Sequence, residues 1–347
     1  MNEDDRCFDP VDDAFRDKYF SHAYVECGFL DSPLPSYTRH WASNPDETIY
    51  DLASLSKGLC TAPLVYNMLG KKGLSTCLGD YISGLPGDVS SLTIISLLGH
   101  VSGLEAWRNF WINRLNSETS LEDYGCDAKE HILEVFRRSD CMSKERKERY
   151  SDLGFILLGL MLEESCQGSL DNQFYDFQKN VLSLENPLLV YGNRVPKSQA
   201  IVSSYCKLRD RNLKGEVHDE NCYSLGGISG HAGLFSTGPQ LGQYLRRFHQ
   251  SELGKDFIRA NYEASLAGDT MLGLRKGDDP SSEVFGNGKA IGHLGFTGTA
   301  FWLDCDRKSY GIFLSNRIVS GRISGRIKTL RADVFKGLQR IVEGLQA

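Results

Sequence analysis

Ser54 and Lys57 are the two residues in this chain whose types and spacing best suit covalent chemistry. They stand three positions apart in the stretch IYDLASLSKG at 49–58, where a helical pattern begins. Residues three apart share a helix face, so the hydroxyl and the amine can meet. A serine hydroxyl becomes a strong nucleophile when a base takes its proton, and Lys57 can serve. The free N–H groups and positive dipole end of a helix N-terminus suit an anionic intermediate. The pair therefore predicts acyl transfer.

The same Ser-x-x-Lys spacing recurs at Ser204 and Lys207. The residues around that second pair suggest no chemistry, so the spacing by itself does not identify a nucleophile. The assignment of Ser54 therefore depends on proton-transfer and oxyanion-binding partners further along the chain.

Tyr150 is the candidate for proton transfer, because it stands directly before an apolar helical segment at 153–159. A tyrosine on the loop entering a helix can project into a cleft while the residues behind it are anchored. A phenol passes protons when a nearby cation lowers its pKa, and Lys57 would be that cation. Asp152 has two interpretations: it orients Lys57 by a charge-assisted hydrogen bond, or it caps the helix. A rival phenol, Tyr191, has no helix behind it, so Tyr150 is favoured.

The segment HLGFTGT at 293–299 opens a strand with two glycines and little side-chain bulk. A substrate lying along such a strand can hydrogen-bond to its exposed backbone, and glycine permits the close approach. One backbone N–H of this segment and that of Ser54 would together form an oxyanion hole. His293 also has a second interpretation, as a hydrogen-bonded structural histidine.

These segments are far apart in sequence, so the fold must bring them together. The helical pattern that starts at Ser54 contains Pro63, which predicts a kink. Strand patterns occur within 20–50, 296–303 and 309–315, and helical patterns at 54–69, 92–98, 129–138, 153–164, 240–249 and 329–345. The simplest packing is an α+β fold, with an antiparallel sheet built from both chain ends and flanked by helices. We expect a sheet lobe of residues 1–72 and 240–347, a mainly helical lobe of residues 73–239, and an active site in the cleft between them.

Composition and charge argue against several classes of function. The 347 residues suffice for two lobes, because single cores rarely grow beyond about 250–300 residues. A formal net charge of −6 argues against nucleic acid as a partner, and the mixed-charge run at 144–149 is typical of a solvated helix face. The acidic N-terminus leads into no apolar signal sequence, and the apolar stretch at 155–162 is too short to span a membrane.

Ten cysteines are scattered without a Cys-x-x-Cys pair or a His-x-x-x-His grouping. This spacing favours neither a disulfide framework nor a zinc site. The expected state is reduced thiols in the cytoplasm, or in the periplasm only if a leader sequence was trimmed.

Taken together and in this order, the motifs resemble the serine β-lactamase and penicillin-binding protein superfamily. The likeness is closest to class C β-lactamases and to related serine carboxylesterases and D-amino-acid-peptide hydrolases. The stretches that carry it are YDLASLSK (50–57), LLGHVSGL (97–104), YSDLGFILLG (150–159), VHDEN (217–221), GHAGLFST (230–237) and GHLGFTGT (292–299).

The resemblance implies a role for each candidate residue. Ser54 would accept the acyl group, and Lys57 would be its base or would tune Tyr150, which relays protons to the leaving group. The backbone N–H groups of Ser54 and Phe296 would bind the oxyanion. His293 stands beside the substrate, where the family carries lysine or histidine. The sequence leaves open whether Lys57 or Tyr150 is the kinetic base, because the two titrate as a coupled unit.

Leu294 departs from the family pattern, which usually has a threonine between the basic residue and the glycine, here Gly295. The threonine hydroxyl helps to hold a substrate carboxylate, and leucine offers no donor. Losing a hydrogen bond to a charged group costs roughly 1.5–3 kcal/mol. The change therefore favours an uncharged ester or an internal amide over a β-lactam.

The sequence thus predicts a serine hydrolase that forms an acyl-enzyme with a small-molecule or short-peptide substrate. The candidate activities are carboxylesterase, D-amino-acid-peptide or peptidoglycan-fragment hydrolase, and weak β-lactamase. The nucleophile, base and oxyanion donors all come from the chain, so no cofactor or metal is expected. The alternative is a ligand-binding or scaffolding protein that keeps the fold and turns over little.

Overall fold

The computed structural model describes residues 6–42, 44–110, 126–138, 141–143, 150–276, 279–322 and 325–346. The mixed-charge run at 144–149 lies outside these residues. The strands are β1 (Ala23–Phe29), β2 (Tyr37–Trp41), β3 (Tyr50–Asp51), β4 (Val190–Tyr191), β5 (Val202–Cys206), β6 (Arg211–Lys214), β7 (Leu234–Ser236), β8 (Ile291–Gly295), β9 (Thr299–Asp304) and β10 (Ser309–Ser315).

The α-helices are α1 (Asp9–Arg16), α2 (Ala62–Gly73), α3 (Gly87–Ser90), α4 (Ile94–Leu98), α5 (Cys126–Arg138), α6 (Asp152–Cys166), α7 (Leu170–Asn180), α8 (Glu220–Ser224), α9 (Gly238–Gln250), α10 (Glu252–Ala267), α11 (Pro280–Val284) and α12 (Arg326–Gly344). Short 3₁₀ turns occur at Leu78–Asp80, Gly192–Arg194, Phe285–Gly288 and Arg317–Ser320, and a π-helical turn at Lys57–Thr61.

A five-stranded antiparallel sheet in the order β2-β1-β10-β9-β8 joins the two ends of the described chain. The side chains of each strand alternate between its two faces. In β10, Tyr310, Ile312 and Leu314 enter the large core that also contains the helical residues of the middle of the chain. Phe313 enters a second core on the opposite face, under α1 and α12. The predicted α+β class and its sheet from both chain ends are confirmed.

The kink predicted by Pro63 takes the form of the π-helical turn at Lys57–Thr61. Proline has no N–H, so the carbonyl of Leu59 four residues earlier loses its helical donor. The hydroxyl of Tyr244 on α9 donates to that carbonyl at 2.5 Å. A side chain thus replaces the missing backbone hydrogen bond. The helix α2 then runs to Gly73, with a non-helical kink at Gly70, where φ is +60°.

Two details of the predicted elements were wrong. The strand expected from residue 296 begins at Thr299, because residues 296–298 form the turn between β8 and β9. Gly298 adopts φ +105° there, which favours glycine over residues with a side chain. The helix α10 was not predicted, although Ser251 accepts a hydrogen bond from the Gly254 N–H as its N-cap. The division into lobes at residues 72 and 240 stays a prediction.

Candidate active site

Ser54 lies on a tight turn between β3 and the π-helical segment. Ala53 adopts φ +49° on this turn, a conformation that a non-glycine residue keeps only when its surroundings fix it. Its N–H donates to the Asp51 carboxylate at 2.9 Å. The hydroxyls of Thr297 and Thr299 donate to the main-chain carbonyls of Asp51 and Leu52 at 2.7 and 3.2 Å. The nucleophile turn is therefore fastened to the β8–β9 hairpin.

Lys57 is fully buried and points its ammonium at three oxygens. Its Nζ donates to Ser54 Oγ at 3.0 Å and to the His231 carbonyl at 2.9 Å, and it pairs with Asp152 at 2.7 Å. Burial lowers the pKa of Lys57, but the Asp152 charge and the Tyr150 phenol outweigh burial and raise it above its usual value. Lys57 is therefore a cation at neutral pH, held against the nucleophile.

Tyr150 lies against this pair. The Lys57 Nζ is 5.1 Å from the centroid of its ring, and the His100 ring is 4.4 Å away, centroid to centroid. Burial raises the pKa of the Tyr150 phenol, while the Lys57 charge and hydrogen bonds with Lys57 and Ser54 oppose that rise. The phenol thus lies within reach of both the nucleophile and its cation, as the sequence predicts.

Asp152 acts on Lys57, and the helix cap comes from its neighbour. Ser151 is the N-cap of α6, and its Oγ accepts a hydrogen bond from the Gly154 N–H at 3.3 Å. The carboxylate of Asp152 in the first helical turn is free to pair with Lys57. Of the two interpretations of Asp152, the structure supports the ion pair with Lys57.

The strand β8 presents its residues to opposite faces. Leu294 and Gly295 line the cavity in front of Ser54, and Phe296 follows them at its edge with 47% of its surface exposed. A Cβ at Gly295 would lie 2.0 Å from Thr299 Oγ1, so only glycine fits there. Among the described residues, none accepts a hydrogen bond from the backbone N–H of Ser54 or Phe296, which leaves both N–H groups available for an oxyanion.

His293 is buried behind Tyr150 and does not line the cavity. Its ring centroid is 6.1 Å from that of Tyr150, and its Nδ1 donates to the Leu294 carbonyl at 2.8 Å. Burial, together with the charges of Lys57 and Arg275, holds its pKa well below the usual range. His293 is therefore neutral at physiological pH, and its contact with substrate stays a prediction.

The cavity has a volume of about 640 Å³ and collects the predicted residues on one wall. Ser54, Tyr150, Asp152 and the end of β8 line it, whereas Lys57 lies beneath the surface. The polar cavity lining that was not named as a candidate comprises four arginines and the run 218–220: Arg275, Arg317, Arg322, Arg331, His218, Asp219 and Glu220. The run 218–220 lies in the stretch VHDEN, which was noted only for its resemblance. The arginines share no motif, so only the tertiary contacts identify them.

The rival residues lie elsewhere. The hydroxyl of Tyr191 donates to the Ser229 carbonyl at 3.2 Å within the core, and Tyr191 does not line the cavity. Ser204 is on the strand β5 and Lys207 is in the turn that follows it; Ser204 Oγ is buried and has no hydrogen bond to Lys207 or to any other described residue. The Ser-x-x-Lys spacing is thus productive only where the backbone is helical.

Within the described part of the chain, no helix combines the length and apolar character needed to cross a membrane. Among the same residues, no group of three or more His, Cys, Asp or Glu could hold a metal ion. The cysteines that the structure describes are free thiols.

Comparison with known proteins gives one consistent likeness. Residues 35–334 match the model of the family described as beta-lactamase. A putative D-alanyl-D-alanine carboxypeptidase of Salmonella gallinarum is 28% identical over 308 residues, which cover 78% of this chain and 69% of that protein. A class C beta-lactamase structure superposes with a TM-score of 0.66 at 14% identity, covering 96% of this chain and 98% of that one. The hydrolase EstCE1, described as having promiscuous acyltransferase activity, gives a TM-score of 0.65 at 16% identity over 95% and 98% of the two chains. The structural likenesses show a shared fold.

Proposed function

This chain belongs to the beta-lactamase family of serine hydrolases, and we propose that it cleaves a small ester or amide through an acyl-enzyme on Ser54. The observation that carries this proposal is the contact between the Lys57 ammonium and Ser54 Oγ at 3.0 Å, with Asp152 and Tyr150 completing the cluster. A buried cation held against a hydroxyl at the wall of a cavity is an arrangement that activates a nucleophile.

In the proposed acylation step, Ser54 Oγ bonds to the substrate carbonyl carbon and gives its proton to the coupled Lys57–Tyr150 pair, in the form of that pair that has already released one proton to solvent. The oxyanion would be bound by the backbone N–H groups of Ser54 and Phe296. Tyr150 then protonates the leaving group as its bond to carbon breaks. Water reverses these transfers in deacylation, with the phenolate of Tyr150 accepting its proton.

The end of β8 would shape substrate binding. Gly295 lets the substrate approach the strand backbone, and Leu294 offers an apolar surface with no donor for a carboxylate. Arg317 and Arg331 also line the cavity here, and their Nη2 groups donate to the Phe296 and Gly295 carbonyls, each at 2.7 Å. Arg322 pairs with Glu220 at 2.8 Å. These donors therefore already have acceptors within the protein.

We therefore infer that an uncharged ester or internal amide is preferred to a substrate with a carboxylate next to the scissile bond. The similarity to a putative D-alanyl-D-alanine carboxypeptidase keeps short D-amino-acid peptides as the other candidates. A matched pair of peptide esters, one with a free terminal carboxylate and one with its methyl ester, separates the two. We expect kcat/KM to favour the methyl ester about tenfold, the effect of one lost hydrogen bond. The reverse preference would assign the site to carboxylate substrates.

The free thiols of the described cysteines support a reducing compartment. We propose that the protein works on a cytoplasmic substrate. Neither nucleic acid nor a membrane is among its proposed partners, in line with the net charge of −6.

The deciding experiment is covalent labelling with a fluorophosphonate and with a penicillin-type probe, followed by peptide mass spectrometry. We expect an adduct on Ser54 that Ser54→Ala abolishes. Ser204→Ala is the matched control, because Ser204 has the same spacing to a lysine, and it should label normally. Folded protein without an adduct from either probe would overturn the hydrolase proposal in favour of the scaffolding alternative.

A further inference from the structure

Arg275 lies against the Tyr150 ring, as Lys57 does. Its guanidinium carbon is 4.6 Å from the ring centroid. Its backbone N–H donates to the Gly292 carbonyl at 2.8 Å, and its carbonyl accepts from the Gly292 N–H at 3.0 Å. These two backbone hydrogen bonds fix Arg275 beside Gly292 of β8, which is the residue before His293. The guanidinium is therefore presented to Tyr150 by a fixed backbone.

The contact with Arg275 matters for Tyr150, because the Tyr150 ring lies between two cavities. Tyr150 and Arg275 both line the active-site cavity and also a second cavity of about 460 Å³ on the other side. The rings of His100 and His293 also lie against Tyr150, and His100 lines the second cavity. The Tyr150 ring is thus held by stacking against neighbouring side chains, without dense core packing on the side of the second cavity.

The charges around Tyr150 assign Arg275 an electrostatic part as well. The titratable and charged groups that face it, or that face Arg275, are Lys57, His100, Asp152, Arg275, Asp279 and His293. Burial, with the nearby cations, keeps the pKa of both His100 and His293 well below the usual range, so neither is charged. Lys57 forms an ion pair with Asp152 at 2.7 Å, so the carboxylate offsets its positive charge. Arg275 supplies a second positive charge next to the phenol.

We propose that Arg275 is a positioning residue that holds the Tyr150 ring and stabilises its phenolate, because its guanidinium lies against that ring. This inference rests on the proposed function. In the step concerned, the Ser54 proton passes to the Tyr150 oxygen while Oγ bonds to the acyl carbon, and the same proton later goes to the leaving group. Arg275 touches none of the reacting atoms. Arginine suits the task because its planar head group stacks on the ring and stays charged.

The test is the rate of Ser54 labelling by a fluorophosphonate across about pH 6–11, a range that extends past the ordinary phenol pKa of about 10. The acid limb of that profile reports the basic group. A nearby cation lowers the pKa of a phenol, so its loss raises that pKa. We expect Arg275→Met to move the acid limb about one pH unit upward and to slow labelling about tenfold at neutral pH. Arg275→Lys should stay close to the parent limb.

Three further variants test whether the effect depends on the charge of Arg275. Lys276→Met removes the neighbouring exposed charge and should superpose on the parent profile. His293→Lys added to Arg275→Met restores a cation at the adjacent position and should return the limb toward the parent value. Arg275→Gln removes the charge but keeps a planar polar group, and it replaces Arg275→Met if that variant does not fold.

An acid limb that stays in place while the rate falls equally at every pH would overturn the inference, because it indicates a merely structural arginine. A shift reproduced by Lys276→Met would overturn it as well. Parent protein that takes no label at Ser54 defeats the proposed function. Normal labelling with an unshifted limb defeats only the role of Arg275.

Discussion

Among the ion pairs that lie next to tyrosines in the described structure, two have contrasting surroundings. In the candidate active site, Lys57 pairs with Asp152 at 2.7 Å beside Tyr150. On β1, Glu26 pairs with Arg246 of α9 at 2.8 Å beside Tyr310. The two pairs have similar lengths and the cation of each is buried, so pair length and burial of the cation alone do not distinguish a catalytic cluster from a structural one.

Both carboxylate oxygens of Glu26 accept hydrogen bonds. One carboxylate oxygen accepts from Arg246 and, at 2.5 Å, from the Tyr310 hydroxyl, and the other accepts from the Tyr24 hydroxyl. The backbone of α9 lies directly over it, since a Cβ at Gly242 would fall 1.8 Å from the carboxylate. None of these residues lines the active-site cavity. Each polar group has its acceptor or donor, which is what a buried network needs to stabilise a fold.

The Lys57 cluster is open on one side. Its hydroxyl and phenol border a cavity of about 640 Å³, and the Nε2 atoms of His100 and His293 nearby are buried without a hydrogen-bond partner among the described residues. Buried polar groups without hydrogen-bond partners lower stability, and such groups next to a cavity are typical of a functional site. The candidate site is distinguished by its opening to a cavity and by its buried atoms without hydrogen-bond partners, and not by the ion pair itself.

The largest effect should come from exchanging one tyrosine in each network. Tyr150→Phe removes the proton relay and should slow Ser54 acylation about 10²–10⁴-fold, the usual range for a lost acid–base group. Tyr310→Phe removes a hydroxyl from the structural network and should leave the acylation rate unchanged. Tyr191→Phe tests the rival phenol in the same labelling assay. Near-parental rates for Tyr150→Phe with a loss in Tyr191→Phe would move the relay to Tyr191.

Glu26→Gln should lower the free energy of unfolding by about 3–5 kcal/mol, because it leaves the buried Arg246 without its counter-charge. The acylation rate of the folded protein should not change. Glu252→Gln is the control, since Glu252 pairs with Lys255 on the surface at 3.0 Å, and breaking such a pair costs about 1 kcal/mol at most. Denaturant unfolding measures both. Equal losses of unfolding free energy in Glu26→Gln and Glu252→Gln would mean that the buried ion pair stabilises the fold no more than the surface pair.

Asp51 provides a third kind of buried carboxylate, one held by backbone N–H groups. Burial raises its pKa to about 6, against hydrogen bonds from the N–H groups of His218 and Ala53. Because the folded protein holds this proton more tightly than the unfolded chain, the free energy of unfolding should fall as the pH rises from about 4 to about 6. A shift of this size corresponds to about 3 kcal/mol.

Unfolding in denaturant at a series of pH values measures this dependence for the parent and for Asp51→Asn. The asparagine does not titrate, so its curve should lack the fall contributed by Asp51. Parallel curves for the two proteins would mean that Asp51 ionises with an ordinary pKa in the fold.

The smallest effect concerns selectivity. Leu294→Thr adds a hydroxyl at the end of β8 and should raise turnover of a chromogenic cephalosporin relative to a p-nitrophenyl ester about tenfold or more. Leu294→Val is the matched control, since valine has the shape of threonine without the hydroxyl. An unchanged ratio in the threonine variant would make the leucine irrelevant to selectivity.

Local sequence patterns were sufficient for much of the fold and for the centre of the site. Ser54 and Lys57 are three residues apart at a helix start, and Tyr150 precedes an apolar run, so short-range geometry fixes what each can reach. The strands β1 and β10 follow from their alternation and turns. The helix α10 and the turn at 296–298 were missed or misplaced because capping and positive φ, more than hydrophobic period, set their limits.

The sequence by itself predicted the candidate nucleophile, its lysine, the tyrosine and the sheet built from both chain ends, because these depend on residue type and on contacts within a few positions. Only the tertiary structure decided that Asp152 pairs with Lys57 while Ser151 caps the helix, that His293 is neutral behind the phenol, and that Arg275 stacks on Tyr150. Apart from the local cap, those properties arise from burial and from charges brought together from distant parts of the chain. Dielectric surroundings and distance govern them, and neither can be read from the order of residues.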